Sequence, residues 1–381
     1  GLRMQRRQSA AIGRKAIRGT FEFVTTNAKT YVIPTAAIAE ESTTLGCAAT
    51  LTQTGQKSSL HNSINCGILY KSLHPEAFMT ELTDFQRKTE EIYPGISLRF
   101  WEPLEKHTSF RIGGPAEVMA FPKNSGELGQ LLNKSVLLDC KPVILGAGTN
   151  VLAPDEGLRG LVICLKDCLD GLVRVDETHI RAMAGVTMTR LAMFAAREGL
   201  SGLEFAHGIP GSVGGGVYMN AGAYGGEMGR VCESAELMTA AGEIYTLQSG
   251  QMDFSYRHSC LENSGDIVLT ALFALTPDDP EAIKGRMKEL QAKRSASQPL
   301  NYPSAGSAFK RPKQGYAAAL IDRAGLRGYR VGNAAISEKH AGFAVNLGGA
   351  TAAEVRQLLE DVANIVEENS GIRLKPEIRI W

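Results

Sequence analysis

Glycine is concentrated in two runs of this chain, and these runs constrain the fold more than any other feature. The first occupies residues 146–150, directly after the short apolar run 142–145, and the second occupies 208–216 and continues at 220–226. Successive backbone N–H groups in tight turns form concave sites for anions, and the missing side chains let a diphosphate approach. Either run alone is more often a set of structural turns. Two runs beside predicted strands favour a fold that closes around a phosphorylated ligand with a flat ring system.

The better-known phosphate motifs are absent from the sequence. Val151 stands where G-x-G-x-x-G requires its third glycine, and a loop rather than a helix is expected after the first run. Neither G-x-x-x-x-G-K-[ST] nor the nucleophile elbow G-x-S-x-G occurs. These absences exclude a P-loop nucleotidase and an α/β-hydrolase.

Composition narrows the choice of partners. The 41 Lys and Arg nearly balance the 40 Asp and Glu, so a net charge of +1 creates no field that would gather nucleic acid or an acidic membrane. No apolar run reaches the length of a membrane-spanning helix. The seven cysteines have irregular spacings and no Cys or His pattern completes a metal site, which favours free thiols in the reducing cytoplasm. We expect small-molecule ligands, without a nucleic-acid partner, a membrane or a metal.

The first 78 residues differ from the remainder of the 381-residue chain, which is long enough for two or three packed units. Residues 1–20 are basic and contain no acid, and the Ser/Thr/Ala-rich stretch 42–63 shows no sustained period. We expect 1–78 to be an N-terminal extension that is disordered or that precedes the native start, for which Met79 is the natural candidate. A transit peptide is the alternative.

From residue 79 to about 276, short β-rich runs alternate with short helices, which is typical of a mixed α+β fold. The predicted strands are 117–121, 142–145, 160–164, 172–175 and 267–275. The predicted helices are 79–93 with apolar Leu82, Phe85 and Ile92, 125–132 behind an Asn124 or Ser125 cap, and a helix that begins at Thr187 and stops at Gly199.

From residue 277 onward the sequence contains the start and end signals of longer helices, which indicates a second unit. Asp279 can cap a helix that has Pro280 at its first position. The last predicted helix begins with a capping box of Thr351 and Glu354 and ends at Gly371.

The tail after that helix alternates apolar and charged residues over 372–380, which predicts a half-buried strand. On this strand Glu377 shares the polar face with Lys375 and Arg379. Their positive charges favour an anionic Glu377 that orients its neighbours over a protonated acid.

Seven short segments of the chain, taken together and in this order, indicate one protein family: 107–115, 146–150, 208–215, 220–225, 254–259, 304–310 and 375–377. In composition and order they resemble the UDP-N-acetylenolpyruvoylglucosamine reductases, also called UDP-N-acetylmuramate dehydrogenases. The resemblance covers about residues 100–381 and has no counterpart in 1–78.

The resemblance implies an α+β architecture. Residues 79–276 would form a FAD-binding domain of the vanillyl-alcohol oxidase type, with two subdomains divided near residue 146. Residues 277–368 would form a separate α+β substrate-binding domain, and 369–381 a C-terminal strand that returns to the active site. The shorter class of the family is indicated, because about fifty residues between Arg257 and Ser307 leave little room for the tyrosine-bearing insertion of other members.

The resemblance also implies the reaction: NADPH reduces FAD, and hydride then passes to C3 of the enolpyruvyl group of a UDP-sugar in peptidoglycan synthesis. Arg257 would stabilise the enolate, because a guanidinium binds a carboxylate twice and keeps its proton. Ser307 would give the proton to C2. Glu377 matches the family's second acid, although its cationic neighbours favour the orienting role.

The remaining site residues follow from position within the motifs, and a monomer is expected. The cofactor would contact Arg111, Gly113, Gly146, Ala147, Gly148, Thr149, Asn150, Gly208, Ile209, Pro210, Gly211, Ser212, Gly215, Asn220, Gly222 and Ala223. The substrate would contact Tyr218, Lys310 and Arg311.

Two alternatives stay open from the residues alone. One is a different FAD-linked oxidoreductase of the same superfamily, some of which attach the flavin covalently, for which His207 would be the candidate. The other is a non-catalytic protein that binds a flavin or a nucleotide sugar.

Overall fold

In the computed structural model of the chain, residues 21–26, 29–34 and 81–381 are described. The chain divides into two compact units, Gly1–Phe78 and Met79–Trp381. Within the first unit, strand β1 (Phe21–Thr26) pairs antiparallel with strand β2 (Lys29–Pro34). The remaining expectations for 1–78, including the start at Met79, concern residues outside the described ranges.

The second unit contains the other helices and strands. In chain order the strands are β3 (Ser97–Pro103), β4 (Pro115–Phe121), β5 (Val143–Leu145), β6 (Val151–Leu152), β7 (Leu158–Cys164), β8 (Leu172–Arg174), β9 (His179–Met183), β10 (Leu200–Ser201), β11 (Gly222–Ala223), β12 (Gly226–Glu227), β13 (Cys232–Met238), β14 (Ile244–Gln248), β15 (Ile267–Ala274), β16 (Thr276–Pro277), β17 (Arg330–Val331), β18 (Ala334–Ile336), β19 (Ala344–Asn346) and β20 (Arg379–Ile380). The α-helices are α1 (Asp84–Ile92), α2 (Ser125–Ser135), α3 (Met188–Arg197), α4 (Val213–Tyr218), α5 (Leu261–Ser264), α6 (Pro280–Ser297), α7 (Ala317–Arg323) and α8 (Ala352–Ser370). In the described ranges no helix has both the length and the apolar character needed to cross a membrane.

The predicted helix starts are confirmed at the level of single caps. The side chain of Asn124 accepts the Glu127 N–H at the start of α2, and Asp279 accepts the Ala282 N–H at the start of α6. The capping box of α8 is present, and this helix ends at Gly371 in the left-handed region. Each cap depends on residues within a few positions of one another, which is why sequence alone could locate it.

Helix α1 departs from its prediction in the face that it buries. Its fully buried residues are the polar Gln86 and Thr89, while Phe85 and Ile92 are half-buried. The burial is tolerated because Gln86 Nε2 donates to the Glu117 carbonyl at 2.9 Å and Thr89 Oγ1 donates to the Phe85 carbonyl at 2.6 Å.

The first subdomain is a four-stranded sheet in the order β3-β4-β7-β5. Strand β7 pairs in parallel with both β4 and β5. It therefore lies between strands that precede residue 146, and a subdomain boundary near 146 is wrong. The chain leaves this sheet only after Cys164, so the boundary falls between β7 and β8.

The second subdomain is a five-stranded antiparallel sheet in the order β14-β13-β15-β9-β8. Helices α3 and α4 contribute apolar side chains to its core. Helix α6 does so as well, through Ile283 and Met287, which are 1% and 5% exposed. The unit predicted to begin at 277 therefore begins after α6, because the apolar face of that helix is buried against the preceding subdomain.

The C-terminal unit contains the three-stranded antiparallel sheet β17-β18-β19 and helices α7 and α8. Its hydrophobic cluster also includes Phe110, Ile112 and Leu152 of the first subdomain, all at most 2% exposed. The C-terminal unit and the first subdomain therefore pack against each other through a shared hydrophobic cluster.

The predicted strand over 372–380 is shorter in the structure. Only Arg379–Ile380 is a strand, and it pairs in parallel with β6 of the first subdomain. Pro376 forms an isolated bridge with Phe309, and both Pro376 and Ile380 are exposed where alternation predicts burial. The segment crosses from the C-terminal unit to the first subdomain, so it does not pair along its whole length with one sheet.

Candidate active site

The two glycine runs lie against each other, and the region that both border is here called the glycine crevice. Thr149 Oγ1 donates to the Pro210 carbonyl at 3.1 Å and so ties the first loop to the second. A Cβ at Gly211 would lie 3.2 Å from Thr149 Oγ1, and a Cβ at Gly146 or Gly215 would lie 3.4 or 3.6 Å from Ser212 Oγ. The crevice is therefore lined by backbone and two hydroxyls, which are the groups that suit a diphosphate.

Gly148 shows why the first loop needs glycine. Its φ is +65°, and a Cβ there would lie 2.0 Å from the His107 carbonyl oxygen. The neighbouring chain is held by the Ser109 N–H, which donates to the Gly148 carbonyl at 2.9 Å. Close backbone packing thus fixes the loop that faces the crevice.

Two predicted cofactor residues lie away from the glycine runs in sequence. Arg111 and Gly113 line an open cavity of about 680 Å³ together with Asn346 and Gly348. Asn346 Nδ2 donates to the Phe110 carbonyl at 3.0 Å, which holds this segment against the C-terminal unit.

Asn220 has a structural task in its loop. It is fully buried, its Nδ2 donates to the Ser255 carbonyl at 2.9 Å, and its Oδ1 accepts the Gly229 N–H at 2.8 Å. Its amide thus connects the second glycine run to the turn that carries Arg257.

Arg257 lies in a turn. Ser255 and His258 exchange backbone hydrogen bonds at 3.1 Å, and Arg257 adopts a φ of +55° between them. Its Nε donates to Glu377 Oε1 at 2.7 Å and its NH2 group to the Gly222 carbonyl at 3.2 Å. Two anchors on different loops thus set the plane of the guanidinium.

Glu377 is enclosed, although its predicted position is a solvated polar face. Its side chain is 11% exposed. Its backbone N–H donates to the Ala308 carbonyl at 2.9 Å, and its carbonyl accepts from Asn150 Nδ2 at 3.2 Å. Glu377 therefore joins the first glycine loop, the serine-bearing segment and Arg257.

Ser307 lies next to these contacts. It forms an isolated bridge with Phe343, and the adjacent Ala308 accepts the Glu377 N–H. Ser109 Oγ donates to the Ser304 carbonyl at 2.7 Å and fixes the start of the segment. Within residues 81–381 the half-buried Ser307 hydroxyl has no hydrogen-bond partner, which leaves it available to a ligand.

A network that the sequence did not reveal runs beside the predicted substrate residue Tyr218. The Arg379 guanidinium lies 5.4 Å from the Tyr218 ring and donates to Glu262 Oε1 at 2.7 Å. Glu262 Oε2 contacts His258 Nδ1 at 2.8 Å. The His258 hydrogen bond, and then the charges of Arg379 and Lys310, lower the pKa of the Glu262 carboxyl. The spacing of four residues between His258 and Glu262 was the one sequence feature that could have predicted their contact.

Arg311 is placed beside the turn of Arg257. Its backbone N–H donates to Tyr256 Oη at 3.2 Å, and its guanidinium lies 4.5 Å from the Tyr316 ring. Exposed Tyr256 and Tyr316 rings therefore border the same region as Lys310 and Arg311.

Chemically, the arrangement connects a fixed guanidinium, its carboxylate partner and the segment that carries an available hydroxyl to the two glycine loops. Such a set can hold a carboxylate, stabilise negative charge that develops on it and deliver a proton. In the described ranges, no group of His, Cys, Asp and Glu is assembled that could hold a metal ion.

Two family models match the chain. One describes the C-terminal domain of UDP-N-acetylenolpyruvoylglucosamine reductase and covers residues 298–381, and the other describes a FAD binding domain and covers 116–248. Relatives that match over nearly their whole length are similar as well. The UDP-N-acetylenolpyruvoylglucosamine reductase of Agathobacter rectalis is 47% identical over 307 residues, which is 78% of this chain and 98% of that protein. The protein of that name from Streptococcus pneumoniae is 45% identical over 295 residues, 77% of this chain and 97% of the relative.

A solved structure agrees with the sequence comparisons. The UDP-N-acetylenolpyruvylglucosamine reductase of Thermus caldophilus superposes with a TM-score of 0.62 at 35% identity. The match covers 75% of this chain and 98% of that one.

Proposed function

The chain belongs to the UDP-N-acetylenolpyruvoylglucosamine reductase family, and we propose on that premise how its residues divide the reaction. It is a FAD-containing oxidoreductase that reduces UDP-N-acetylenolpyruvoylglucosamine in the synthesis of peptidoglycan precursors. The observation that carries the assignment of roles is the ion pair of Arg257 with Glu377, formed between residues 120 positions apart at the edge of the glycine crevice.

The glycine crevice is the proposed FAD site. Its open glycine faces and the hydroxyls of Thr149 and Ser212 fit a diphosphate, and the family model for FAD binding spans both loops. When bound, FAD supplies the hydride relay that no amino-acid side chain provides.

Arg257 is the proposed electrostatic residue. The Nε of Arg257 donates to Glu377, and one N–H of its NH2 group donates to the Gly222 carbonyl. The edge that carries NH1 therefore remains for the substrate carboxylate. Hydride addition at C3 leaves negative charge at C2 that spreads into this carboxylate as an enolate. A guanidinium already fixed in place stabilises that charge without reorganising during the reaction.

Ser307 is the proposed proton donor to C2. A serine hydroxyl is a weak acid, but the enolate carbon is a strong base, so position matters more than acidity. The Phe343 bridge and the Ala308 contact to Glu377 hold Ser307 beside the carboxylate partner of Arg257.

Glu377 is proposed as the anion that orients Arg257. Its Oε1 accepts the Arg257 Nε hydrogen bond at 2.7 Å, an arrangement that uses the charged carboxylate as an acceptor. We therefore assign it an orienting role in preference to acid catalysis.

NADPH as the reductant, the cytoplasm as the location and the monomer as the active form complete the proposal. NADPH and UDP-sugars are cytoplasmic metabolites, and the five cysteines of the described part of the chain are free thiols, as in a reducing compartment. A monomer is supported because every proposed catalytic residue comes from one chain. Lys310, Arg311 and Tyr218 are proposed to hold the nucleotide part of the substrate.

The Ser307→Ala variant tests the proposal. We expect NADPH still to bleach the flavin at the rate of the unaltered protein, while turnover with the enolpyruvyl sugar nucleotide falls by about 10²–10⁴-fold. Stopped-flow absorbance measures the first step and steady-state NADPH oxidation the second. Ser304→Ala is the matched control, because Ser304 contributes its carbonyl and that group is kept. Full turnover in Ser307→Ala would remove the proton-donor assignment.

A further inference from the structure

Helix α6 carries a buried arginine whose charge is not compensated. Arg294 is 6% exposed, and neither its Nε nor its NH2 group has a hydrogen-bond partner in the described part of the chain. Its NH1 group donates to the neutral Gln298 Oε1 at 3.3 Å. Arg286 of the same helix shows the contrast, because it pairs with Glu204 at 2.7 Å and with Asp278 at 2.6 Å. A buried cation without an anion is strongly unfavourable and requires a reason.

The groups around Arg294 are equally unsatisfied. The buried Gln291 Oε1 and His207 Nδ1 also lack partners in the described ranges. A Cβ at Gly208 would lie 2.4 Å from Gln291 Oε1 and 3.2 Å from Arg294 Nε. His207, Gln291 and Arg294, here called the Arg294 cluster, thus lie directly against the first residue of the second glycine run.

The Arg294 cluster carries one net positive charge. Burial, and then the charge of Arg294, lower the pKa of His207, so this histidine is neutral near pH 7. Gln291 is neutral, and a guanidinium keeps its proton in proteins. The Tyr224 ring lies 5.5 Å from Arg294 Cζ and offers a weak attraction but no anion. The uncompensated charge is therefore permanent.

An anionic ligand of the glycine crevice would supply the partner that this charge lacks. Gly208 begins the loop whose Pro210 carbonyl binds Thr149 and whose Ser212 faces Gly146. Arg294 lies outside both family models, which cover 116–248 and 298–381.

We propose that Arg294 is a positioning residue for the cofactor. Its guanidinium packs against the 207–211 loop and attracts the FAD diphosphate across that loop. The inference rests on the FAD crevice of the proposed function. The charge acts across one layer of backbone, where low polarity keeps an electrostatic attraction effective.

The Gln291→Glu variant separates this role from simple packing. The new carboxylate is nearly isosteric and would pair with Arg294, so we expect the protein without cofactor to become more stable while FAD binding weakens. FAD affinity is measured by flavin fluorescence against protein stripped of cofactor, and riboflavin serves as the probe that lacks phosphate. We expect the FAD dissociation constant to rise at least about tenfold and that of riboflavin to change less than about twofold.

Controls on the same helix make the comparison specific. Lys288→Gln changes the net charge of α6 by the same amount at an exposed position, and it should leave FAD affinity within about twofold. Arg294→Met removes the charge directly and should weaken FAD as Gln291→Glu does. Because Gln291→Glu supplies the missing partner, the test stands even where Arg294→Met does not fold. An unchanged FAD affinity in Gln291→Glu, or equal losses for FAD and riboflavin, would overturn the proposal. A stripped wild-type protein that bound no FAD would instead contradict the proposed function.

Discussion

At the scale of single residues, Arg257 is the point where three distant parts of the chain meet. Its turn is held by Asn220, its guanidinium by Glu377 and the Gly222 carbonyl. Glu377 in turn depends on Ala308 and Asn150 for its position. A guanidinium with this many constraints does not have to reorganise when charge develops on the substrate, which is the property that electrostatic catalysis requires.

Arg257→Lys is expected to lower kcat/KM by about 10²–10³-fold, because an ammonium has no planar edge for a carboxylate once it contacts Glu377. Glu377→Gln should lower it by about 10–10²-fold by releasing the guanidinium. Steady-state kinetics of both variants and of the double variant gives the coupling. We expect the double variant to lose much less than the product of the two losses, because the residues act as one unit. If the loss in the double variant equalled the product of the two single losses, Arg257 and Glu377 would act independently. The exposed Lys375→Gln serves as the control.

At the scale of elements, helix α8 is joined to the first subdomain at its N-terminus. Asp155, on the loop between β6 and β7, accepts the Ala352 and Ala353 N–H groups at 2.6 and 2.9 Å. These are two of the N–H groups that a helix leaves unpaired in its first turn, and a carboxylate there also matches the helix dipole. One side chain thus fixes both the helix start and its attachment.

Asp155→Ala is therefore expected to lower the free energy of unfolding by about 1–2 kcal/mol. Urea denaturation followed by circular dichroism measures the change. The neighbouring Glu156→Ala should stay within about 0.5 kcal/mol, because Glu156 is exposed and forms none of these bonds. Equal losses in the two variants would contradict the role of Asp155.

The second sheet contains a histidine that makes its stability depend on pH. His179, the first residue of β9, contacts Asp176 at 2.8 Å and Glu233 of β13 at 3.0 Å. The hydrogen bonds to Asp176 and then to Glu233 raise the pKa of His179 above its usual value. The backbone bonds from Thr178, followed by the His179 contact, lower the pKa of Asp176 to about 2.

A raised histidine pKa stabilises the folded state fully below the unfolded value of about 6.5, and the effect is lost as the pH rises through the folded pKa. His179→Gln should therefore be less stable than the unaltered protein between about pH 4 and 6.5, with the gap closing as the pH rises through the raised pKa of His179. Urea unfolding across this pH series measures the gap. Arg181→Gln, exposed on the same strand, should show no such dependence. A gap that widened at high pH would reverse the assignment.

At the scale of the whole molecule, the FAD-binding part and the C-terminal part of residues 79–381 are one packed body. Phe110, Ile112 and Leu152 of the first subdomain lie in the core of the C-terminal unit, and β20 pairs with β6. The active-site residues are therefore positioned by a shared core, so loosening the C-terminal unit would also displace Ser307 and Glu377.

A chain that begins at Met79 is expected to keep FAD affinity and kcat/KM within about twofold of the full chain. The reason is that 79–381 contains its own cores, and that 77–78% of the chain accounts for 97–98% of the length of its relatives. Flavin titration and steady-state kinetics on the two chains provide the comparison. A loss of flavin in the shorter chain would assign residues 1–78 a part in the fold.

Features that depend on neighbours along the chain were predictable before folding was considered. The caps at Asn124, Asp279 and Thr351 and the end at Gly371 follow from residues within about four positions. The motifs were specific enough to identify the family and the candidate residues Arg257, Ser307 and Glu377.

Features that depend on the path of the chain could be established only from the folded molecule. It places β7 between β4 and β5, buries helix α6 against the second sheet, and encloses Glu377 against Arg257 from 120 positions away. It also leaves Arg294 buried without a partner beside Gly208. Periodicity reports which face of an element is apolar, but it carries no information about which distant segment will cover that face. Burial and ion pairing are set by that second segment, and for this reason they appear only in the folded molecule.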